Sequence, residues 1–150
     1  MVTPYEQLDR KLKPLRPLVD MTRPAKGWVR AIRDGLGMTT KQLGKRIGVS
    51  QPRITALEQA EASGNVTLES LERAAEALGC RVVYALVPLV PLADTFKARA
   101  REVADRQLAA VDQTMRLEAQ GVSNAKARED MRRQFMENLL RHPARLWDEP

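Results

Sequence analysis

The chain has 150 residues, 43% of them hydrophobic, and its 25 basic against 19 acidic side chains give a net charge of +6. This length allows one well-packed core, or one small domain with a helical extension, and no apolar run indicates a signal peptide or a membrane span. With one cysteine and one histidine the chain also lacks a disulfide and a metal-ligand cluster, so we expect a cytoplasmic protein without cofactor or enzymatic activity.

The first twenty residues predict a helix over residues 5 to about 13, followed by a rigid connector. Pro14 and Pro17 restrict the backbone of that connector. Its basic side chains fit an arm that touches phosphates and fit a solvated face equally well. They are Arg10, Lys11, Lys13 and Arg16.

The next helix of the chain opens a predicted compact domain over residues 21–80. It follows Gly27, and its core-facing stripe is predicted from the apolar spacing. That stripe consists of Trp28, Val29, Ile32 and Leu36. The last helix of the domain is capped by Thr67, ends at Leu78, and is followed by Gly79 and a small buried Cys80.

Residues 38–58, M-T-T-K-Q-L-G-K-R-I-G-V-S-Q-P-R-I-T-A-L-E, predict two short helices joined by a tight turn. Thr39 can cap the first helix while Gln42 reaches back to the cap amide. Gly48 supplies the left-handed turn at its end, and Ser50 caps the second helix. This arrangement is the helix-turn-helix, a device for reading DNA, although an ordinary helical hairpin needs the same caps and spacing.

The distribution of charge favours DNA binding over a structural hairpin. Residues 21–53 carry eight basic side chains against Asp34 alone, whereas from residue 94 onward eleven basic side chains meet ten acidic ones. We therefore expect base edges to be read by Gln51, Arg53 and Thr55. The side chains expected to bind phosphates are Thr40, Lys41, Gln42, Lys45, Arg46 and Arg30.

Residues 81–87, R-V-V-Y-A-L-V, predict the one strand of the chain, because β-branched and aromatic residues crowd together there. The strand residues are Val82, Val83, Tyr84, Ala85 and Leu86. No other segment can complete a hairpin, so we expect the strand to pair with its own copy across a two-fold axis. The resulting homodimer would present two recognition helices about 34 Å apart to a palindromic double-stranded operator.

The last third of the chain predicts a helical hairpin. Its first helix runs from residue 92 to 120 and is ended by Gly121. Its second helix is capped by Ser123 and runs from about residue 124 to 141.

Glu118 falls close to the centre of the apolar stripe of the first of these helices. A buried carboxylate there needs a cationic partner, because an unpaired buried charge is strongly destabilising. The candidates are Arg128, Arg132 and Arg133. Alternatively, the stripe ends at Met115 and Glu118 lies in solvent.

The segment 27–88 resembles the Xre family of DNA-binding domains. Its sequence is similar to the family called mobile mystery protein A, in the stretch G-W-V-R-A-I-R-D-G-L-G-M and on to C-R-V-V-Y-A-L-V-P. Members of that family are similar in length and are encoded beside a Fic-domain partner. The Fic domain is an enzyme fold that transfers AMP from ATP to protein hydroxyls. The resemblance thus implies an antitoxin-like role toward a Fic toxin.

Fic enzymes are commonly restrained by a helix with Ser or Thr, three residues, then Glu, followed by Gly or Asn. Thr114 and Glu118 match this pattern, but Ala119 departs from it at the last position. Four residues apart, the two side chains share a helix face. In the inhibited family the Glu pairs with an active-site arginine that otherwise holds the γ-phosphate of ATP. The resemblance implies that role for Glu118.

Together these patterns predict a mainly all-α protein. The expected parts are an N-terminal helix or arm (1–20), a five-helix Xre or lambda-repressor-like domain (21–80), a dimerising strand and linker (81–90), and a helical partner-binding region (91–150). The hypothesis is a dimeric autorepressor that also inhibits a Fic-type toxin. The alternative is a stand-alone repressor of the Xre or phage type whose helical tail only dimerises.

Overall fold

A computed structural model describes residues 1–117 and 125–148. That part of the chain is helical and contains no strand, which confirms the mainly all-α prediction. The α-helices are α1 (Pro4–Leu12), α2 (Trp28–Gly35), α3 (Thr40–Ile47), α4 (Gln51–Ser63), α5 (Leu68–Ala77), α6 (Leu92–Leu117) and α7 (Ala125–Arg141). Two 3₁₀ helices span Lys13–Asp20 and Pro143–Trp147. No helix in these two ranges is both long and apolar enough to cross a membrane.

The chain divides into two compact units. The central unit is Pro17–Leu86, and the tail unit combines Met1–Arg16 with Val87–Pro150. The central unit holds α2 to α5, packed around one apolar core. The buried side chains of that core are Val29, Leu43, Ile54, Ala74 and Leu78.

The capping and helix-ending residues predicted for the helix pair are confirmed at three of four positions. The Thr39 hydroxyl accepts the Gln42 N–H at 3.1 Å, and the Gln42 side-chain oxygen accepts the Thr39 N–H at 2.9 Å, so the capping box is complete. Gly48 ends α3 with φ of 89°. Ser50 occupies the N-cap position of α4, but its side chain makes no capping hydrogen bond.

Three predictions for the central unit are wrong. Residues 21–80 form four α-helices rather than five, since residues 21–27 before α2 form no helix and Gly79 turns the chain after α5 with φ of 69°. Trp28 and Leu36 are 45% and 60% exposed, so only Val29 and Ile32 of the predicted stripe contribute to the core. Cys80 is exposed rather than buried.

The predicted strand over residues 81–87 is not formed in the single chain, which has no regular structure there. A strand requires a partner for its backbone groups, and no backbone hydrogen bond joins residues 81–90 to another described residue. The segment is also apolar and exposed. Val83, Tyr84 and Leu86 are 76%, 71% and 83% exposed.

In the tail unit, α1 is docked on the start of α6. The Tyr5 and Phe96 rings stack with their centroids 4.8 Å apart. The Asp9 carboxylate accepts the backbone N–H groups of Leu92 at 2.7 Å and Ala93 at 3.0 Å. Asp9 therefore caps α6 from another helix, in a place where the sequence around residue 92 offers no cap of its own.

We expect Asp9→Asn to weaken the tail unit in a way that depends on pH. The hydrogen bond from Ala93, followed by that from Leu92, lowers the pKa of Asp9 below its ordinary 3.8. A lowered pKa stabilises the fold fully above pH 3.8, and this contribution is lost as the pH falls from there through the folded-state value. The unfolding temperature of the variant should therefore be lower at neutral pH and converge on that of the parent in acid. Asp130→Asn, at an exposed site on α7, is the control and should match the parent at every pH.

The helices α6 and α7 pack together as the predicted hairpin. Their core is formed by Ala100, Ala104 and Leu139, and Leu146 folds back into it from the following 3₁₀ helix. Farther along the hairpin, ion pairs also join the two helices. They connect Arg132 to Asp105 and Arg128 to the buried Asp112. The helix ends predicted at Gly121 and Ser123 lie outside the described residues.

Candidate DNA-binding surface

The first turns of α4 present one polar face to solvent and one apolar face to the core. Gln51, Arg53 and Thr55 are exposed, whereas Ile54 is buried. The structure thus places the three predicted base-reading side chains on the outside of the second helix of the pair. An exposed helix start of this kind is what enters a major groove in helix-turn-helix proteins.

A hydrogen bond between the two helices fixes the orientation of Gln51. Its side-chain nitrogen donates to the Thr40 hydroxyl at 3.0 Å. The Gln51 amide keeps its oxygen and a second N–H for another partner, and this pair of groups matches the N6 and N7 edge of adenine. The Thr55 hydroxyl donates to the Gln51 carbonyl oxygen at 3.3 Å, so it too is held against the first turn of α4.

Basic side chains surround this face. Of the eight in residues 21–53, six are exposed and Arg30 is half-buried. The exposed ones are Arg23, Lys26, Lys41, Lys45, Arg46 and Arg53. Arg46 also donates from Nε to the Ala77 carbonyl oxygen at 2.9 Å, so it ties α3 to the end of α5 as well as carrying charge.

The eighth basic residue, Arg33, does not belong to the surface. Its guanidinium donates from Nε to Glu58 Oε1 at 2.6 Å, from Nη2 to Glu58 Oε2 at 3.0 Å, and from Nη1 to the Met38 carbonyl oxygen at 2.9 Å. The hydrogen bond to Glu58 raises the pKa of Arg33 above its ordinary value. This buried fork links α2, the turn before α3, and α4.

A second carboxylate of α4 holds the start of α2. Glu61 is 3% exposed, and its two oxygens accept the N–H groups of Trp28 at 2.8 Å and Val29 at 2.9 Å. It thereby replaces the missing cap at Gly27, which has no side chain and has φ of 88°. A Cβ at Gly27 would lie 2.7 Å from the Glu61 carboxyl carbon, so glycine makes this capping contact possible.

The turn between α3 and α4 depends on a close approach at Gly44. A Cβ there would stand 2.7 Å from the Val49 carbonyl oxygen and 3.5 Å from Ile54 Cγ1. Because Gly44 lies inside α3, its absent side chain lets the turn fold back against the helix.

The bracing residues Glu58 and Glu61 are not anticipated by the charge analysis of residues 21–53. A signal for them is nevertheless present in the sequence. Ile54, Glu58 and Glu61 follow one another at intervals of four and three residues, so both carboxylates continue the core-facing stripe of α4. Carboxylates on such a stripe predict buried partners.

The segment over residues 82–86 lies next to an apolar groove of the central unit. The groove has a volume of about 430 Å³, and Val82, Val83 and Tyr84 line it together with Trp28 and Leu68. All of these except the half-buried Val82 are exposed in the single chain.

Of the two residues expected to act on a Fic enzyme, only Thr114 is described. It is exposed on α6, and its hydroxyl donates to the Ala110 carbonyl oxygen at 3.0 Å. Glu118 lies outside the described residues. Two of its predicted partners are engaged elsewhere, since Arg128 pairs with Asp112 and Arg132 with Asp105.

Within the described residues, no group of three or more His, Cys, Asp or Glu side chains could hold a metal ion. Comparison with protein families matches residues 29–84 to the family described as Helix-turn-helix. The match spans α2 to α5 and the segment up to Tyr84. No curated protein and no solved structure matches the chain.

Proposed function

We propose that this chain, whose residues 29–84 match the helix-turn-helix family, is a DNA-binding transcription regulator that represses from a palindromic operator. The observation that carries the proposal is the exposed start of α4, where Gln51, Arg53 and Thr55 project from a helix braced on its other face. The surrounding cations supply the electrostatic, sequence-independent part of the affinity. The side chains that we propose to contact phosphates are the cations Lys41, Lys45, Arg46 and Arg30 and the neutral Thr40 and Gln42.

Arg53→Ala tests the base-reading part of this proposal. An arginine that contacts guanine O6 and N7 contributes about 1 to 3 kcal/mol of discrimination, so binding to a duplex selected by the parent should weaken by that amount. Binding to a random-sequence duplex should change much less. Fluorescence anisotropy at fixed salt concentration measures both affinities.

The matched control is Arg101→Ala, which removes one exposed positive charge from α6. Its affinities for the selected duplex and for the random duplex should equal those of the parent. If Arg53→Ala weakens both duplexes equally, Arg53 contacts phosphate rather than a base, and Gln51 and Thr55 remain as the candidate base readers.

The proposed repressor is a homodimer joined through residues 82–86. Three observations support this pairing: the segment has no regular structure of its own, its backbone has no hydrogen-bond partner among the described residues, and Val83, Tyr84 and Leu86 are exposed. An antiparallel pair of such segments satisfies both sets of backbone groups. The groove beside Trp28 and Leu68 would be covered in the same step.

Sedimentation at micromolar concentration tests the dimer. The parent should sediment as a dimer, and Tyr84→Pro should shift it to a monomer, because proline removes a ladder donor from the centre of the strand. Leu89→Pro lies beyond the strand and before α6, so this control should remain dimeric. A parent that sediments as a monomer would contradict the pairing.

The finer proposal is that the repressor also acts as the antitoxin of a Fic-type toxin, with Thr114 and Glu118 on the inhibitory helix. Its support is the resemblance of segment 27–88 to mobile mystery protein A and the spacing of these two residues on one helix face. Thr114, the one described residue of the pair, is exposed on α6. The carboxylate of Glu118 would compete with the γ-phosphate of ATP for an arginine of the toxin.

The alternative is a repressor whose helical tail only dimerises, and one substitution separates the two. The chain is first co-purified with the product of the adjacent gene, and AMP transfer by that product is then measured. If the chain inhibits, Glu118→Ala should release AMP transfer and leave DNA binding unchanged, while Glu137→Ala on α7 releases nothing. If Glu118→Ala changes neither activity, the mechanism through Thr114 and Glu118 is excluded. If the parent chain does not lower AMP transfer at all, the stand-alone repressor is the correct alternative.

A further inference from the structure

A row of cations at the N-terminal end of the tail unit is not used by the helix-turn-helix. Residues 10–16 read R-K-L-K-P-L-R, which places four positive charges and no negative one in seven residues. All four basic side chains, Arg10, Lys11, Lys13 and Arg16, are exposed, and none forms an ion pair within the described part of the chain. From residue 94 onward the tail is close to neutral, so this charge is local.

The backbone gives the row a fixed shape. Lys13–Asp20 is a 3₁₀ helix, in which side chains three residues apart lie above one another, so Lys13 and Arg16 share one edge. The half-buried Leu12 and Leu15 have the same spacing one residue earlier, on a neighbouring edge. Proline at positions 14 and 17 restricts φ further, which reduces the entropy lost when the row meets a ligand.

The acidic side chain nearest to the row already accepts hydrogen bonds from other groups. Asp9 precedes the row on α1, and Arg16 contributes to lowering its pKa, but both carboxylate oxygens of Asp9 accept N–H groups at the start of α6. Glu6, the other acid of α1, is held in its capping box with Thr3. The exposed cations are thus not neutralised by a direct carboxylate contact from their own helix.

We propose that residues 10–16 form a second phosphate-binding surface, which contacts the backbone of the same DNA duplex outside the operator bases. This inference rests on the proposed function, because the helix-turn-helix brings the duplex within reach. Arg16 and Trp28 are only twelve residues apart in the sequence, so a short connection tethers the cationic row to the helix-turn-helix. At the effective concentration set by this short connection, even individually weak phosphate contacts add affinity.

The salt dependence of binding tests the proposal. The probes are a duplex selected by the full chain from a random-sequence pool, extended by two helical turns on each side, and the same duplex trimmed to the selected site. Arg10, Lys11, Lys13 and Arg16 are replaced together by glutamine, which keeps helix propensity. On the extended duplex, the slope of log affinity against log salt should become shallower by about 0.9 for each phosphate that the variant no longer neutralises.

On the trimmed duplex, the slopes of the parent and the variant should differ by less than they do on the extended duplex. The control variant replaces four exposed cations of α6 and α7, Lys97, Arg101, Arg133 and Arg141, so it changes the net charge equally and should keep the parent slope. Circular dichroism establishes that both variants are folded. An unchanged slope for the residue 10–16 variant on the extended duplex would overturn this inference alone, whereas failure of the parent to bind any duplex would overturn the proposed function.

Discussion

Glu58→Ala should lower the free energy of unfolding by about 3 kcal/mol, because it removes the bidentate partner of the buried Arg33 guanidinium and leaves only the exposed Asp34 carboxylate, 3.3 Å from Nη1. Arg33 cannot escape by losing its proton, since arginine stays protonated in proteins. The pair also links α2 to α4, so breaking it should loosen the recognition helix. Urea unfolding followed by circular dichroism gives the free energy directly.

Two further variants separate the ion pair from the packing around it. Replacing Arg33 and Glu58 together by methionine removes both charges and should recover most of the lost stability, because apolar residues often replace a buried pair with little destabilisation. Glu72→Ala removes an exposed carboxylate from α5 and should change stability by less than about 0.5 kcal/mol. A Glu58→Ala variant as stable as Glu72→Ala would contradict the assigned role of the pair.

Gly44→Ala should destabilise the chain by about 2 kcal/mol, although alanine is the better helix former. The added methyl carbon would stand 2.7 Å from the Val49 carbonyl oxygen, which is backbone and cannot rotate away. The turn between α3 and α4 would have to open, which would also move Gln51 away from Thr40. Stability and affinity for the selected duplex should therefore fall together.

The matched control is Gly35→Ala at the end of α2, where an added Cβ meets nothing within 4 Å. Gly35 does not have a positive φ either, so this substitution should be neutral or stabilise by up to about 1 kcal/mol. Equal stability of the two alanine variants would show that the close approach at Gly44 does not limit the turn.

The helix pair is predictable from the sequence because its signals are local. The Thr39 and Gln42 capping box and the left-handed Gly48 each involve residues no more than a few positions apart. The exposed side of α4 follows from the same reasoning, since Ile54 fixes which face is buried.

The contacts that brace α4 and the one that caps α6 are not predictable by local reasoning, because their partners are distant in sequence. Glu58 and Arg33 are 25 residues apart, Glu61 caps α2 from 33 positions away, and Asp9 caps α6 across 83. The net charge counted over residues 21–53 treats Arg33 as a surface cation, because that range does not include Glu58, the carboxylate that neutralises Arg33. Only the stripe of Ile54, Glu58 and Glu61 indicates this arrangement.

The segment over residues 81–87 shows a different limit of prediction from the sequence. Its composition is that of a strand, but hydrogen bonding to a partner defines a strand, and the single chain provides none among the described residues. The sequence therefore predicts that this segment can pair as a strand. The pairing with a second copy of the segment is part of the proposed dimer.

Selection of duplexes from a random-sequence pool tests most directly whether the start of α4 reads DNA. The parent should enrich an inverted repeat whose half-sites are about 10 base pairs apart. The triple variant Gln51→Ala, Arg53→Ala and Thr55→Ala keeps the other five exposed cations of residues 21–53, so it should still bind duplexes but enrich no sequence. If the triple variant enriches the same repeat as the parent, then other residues read the bases and the assignment of α4 is wrong.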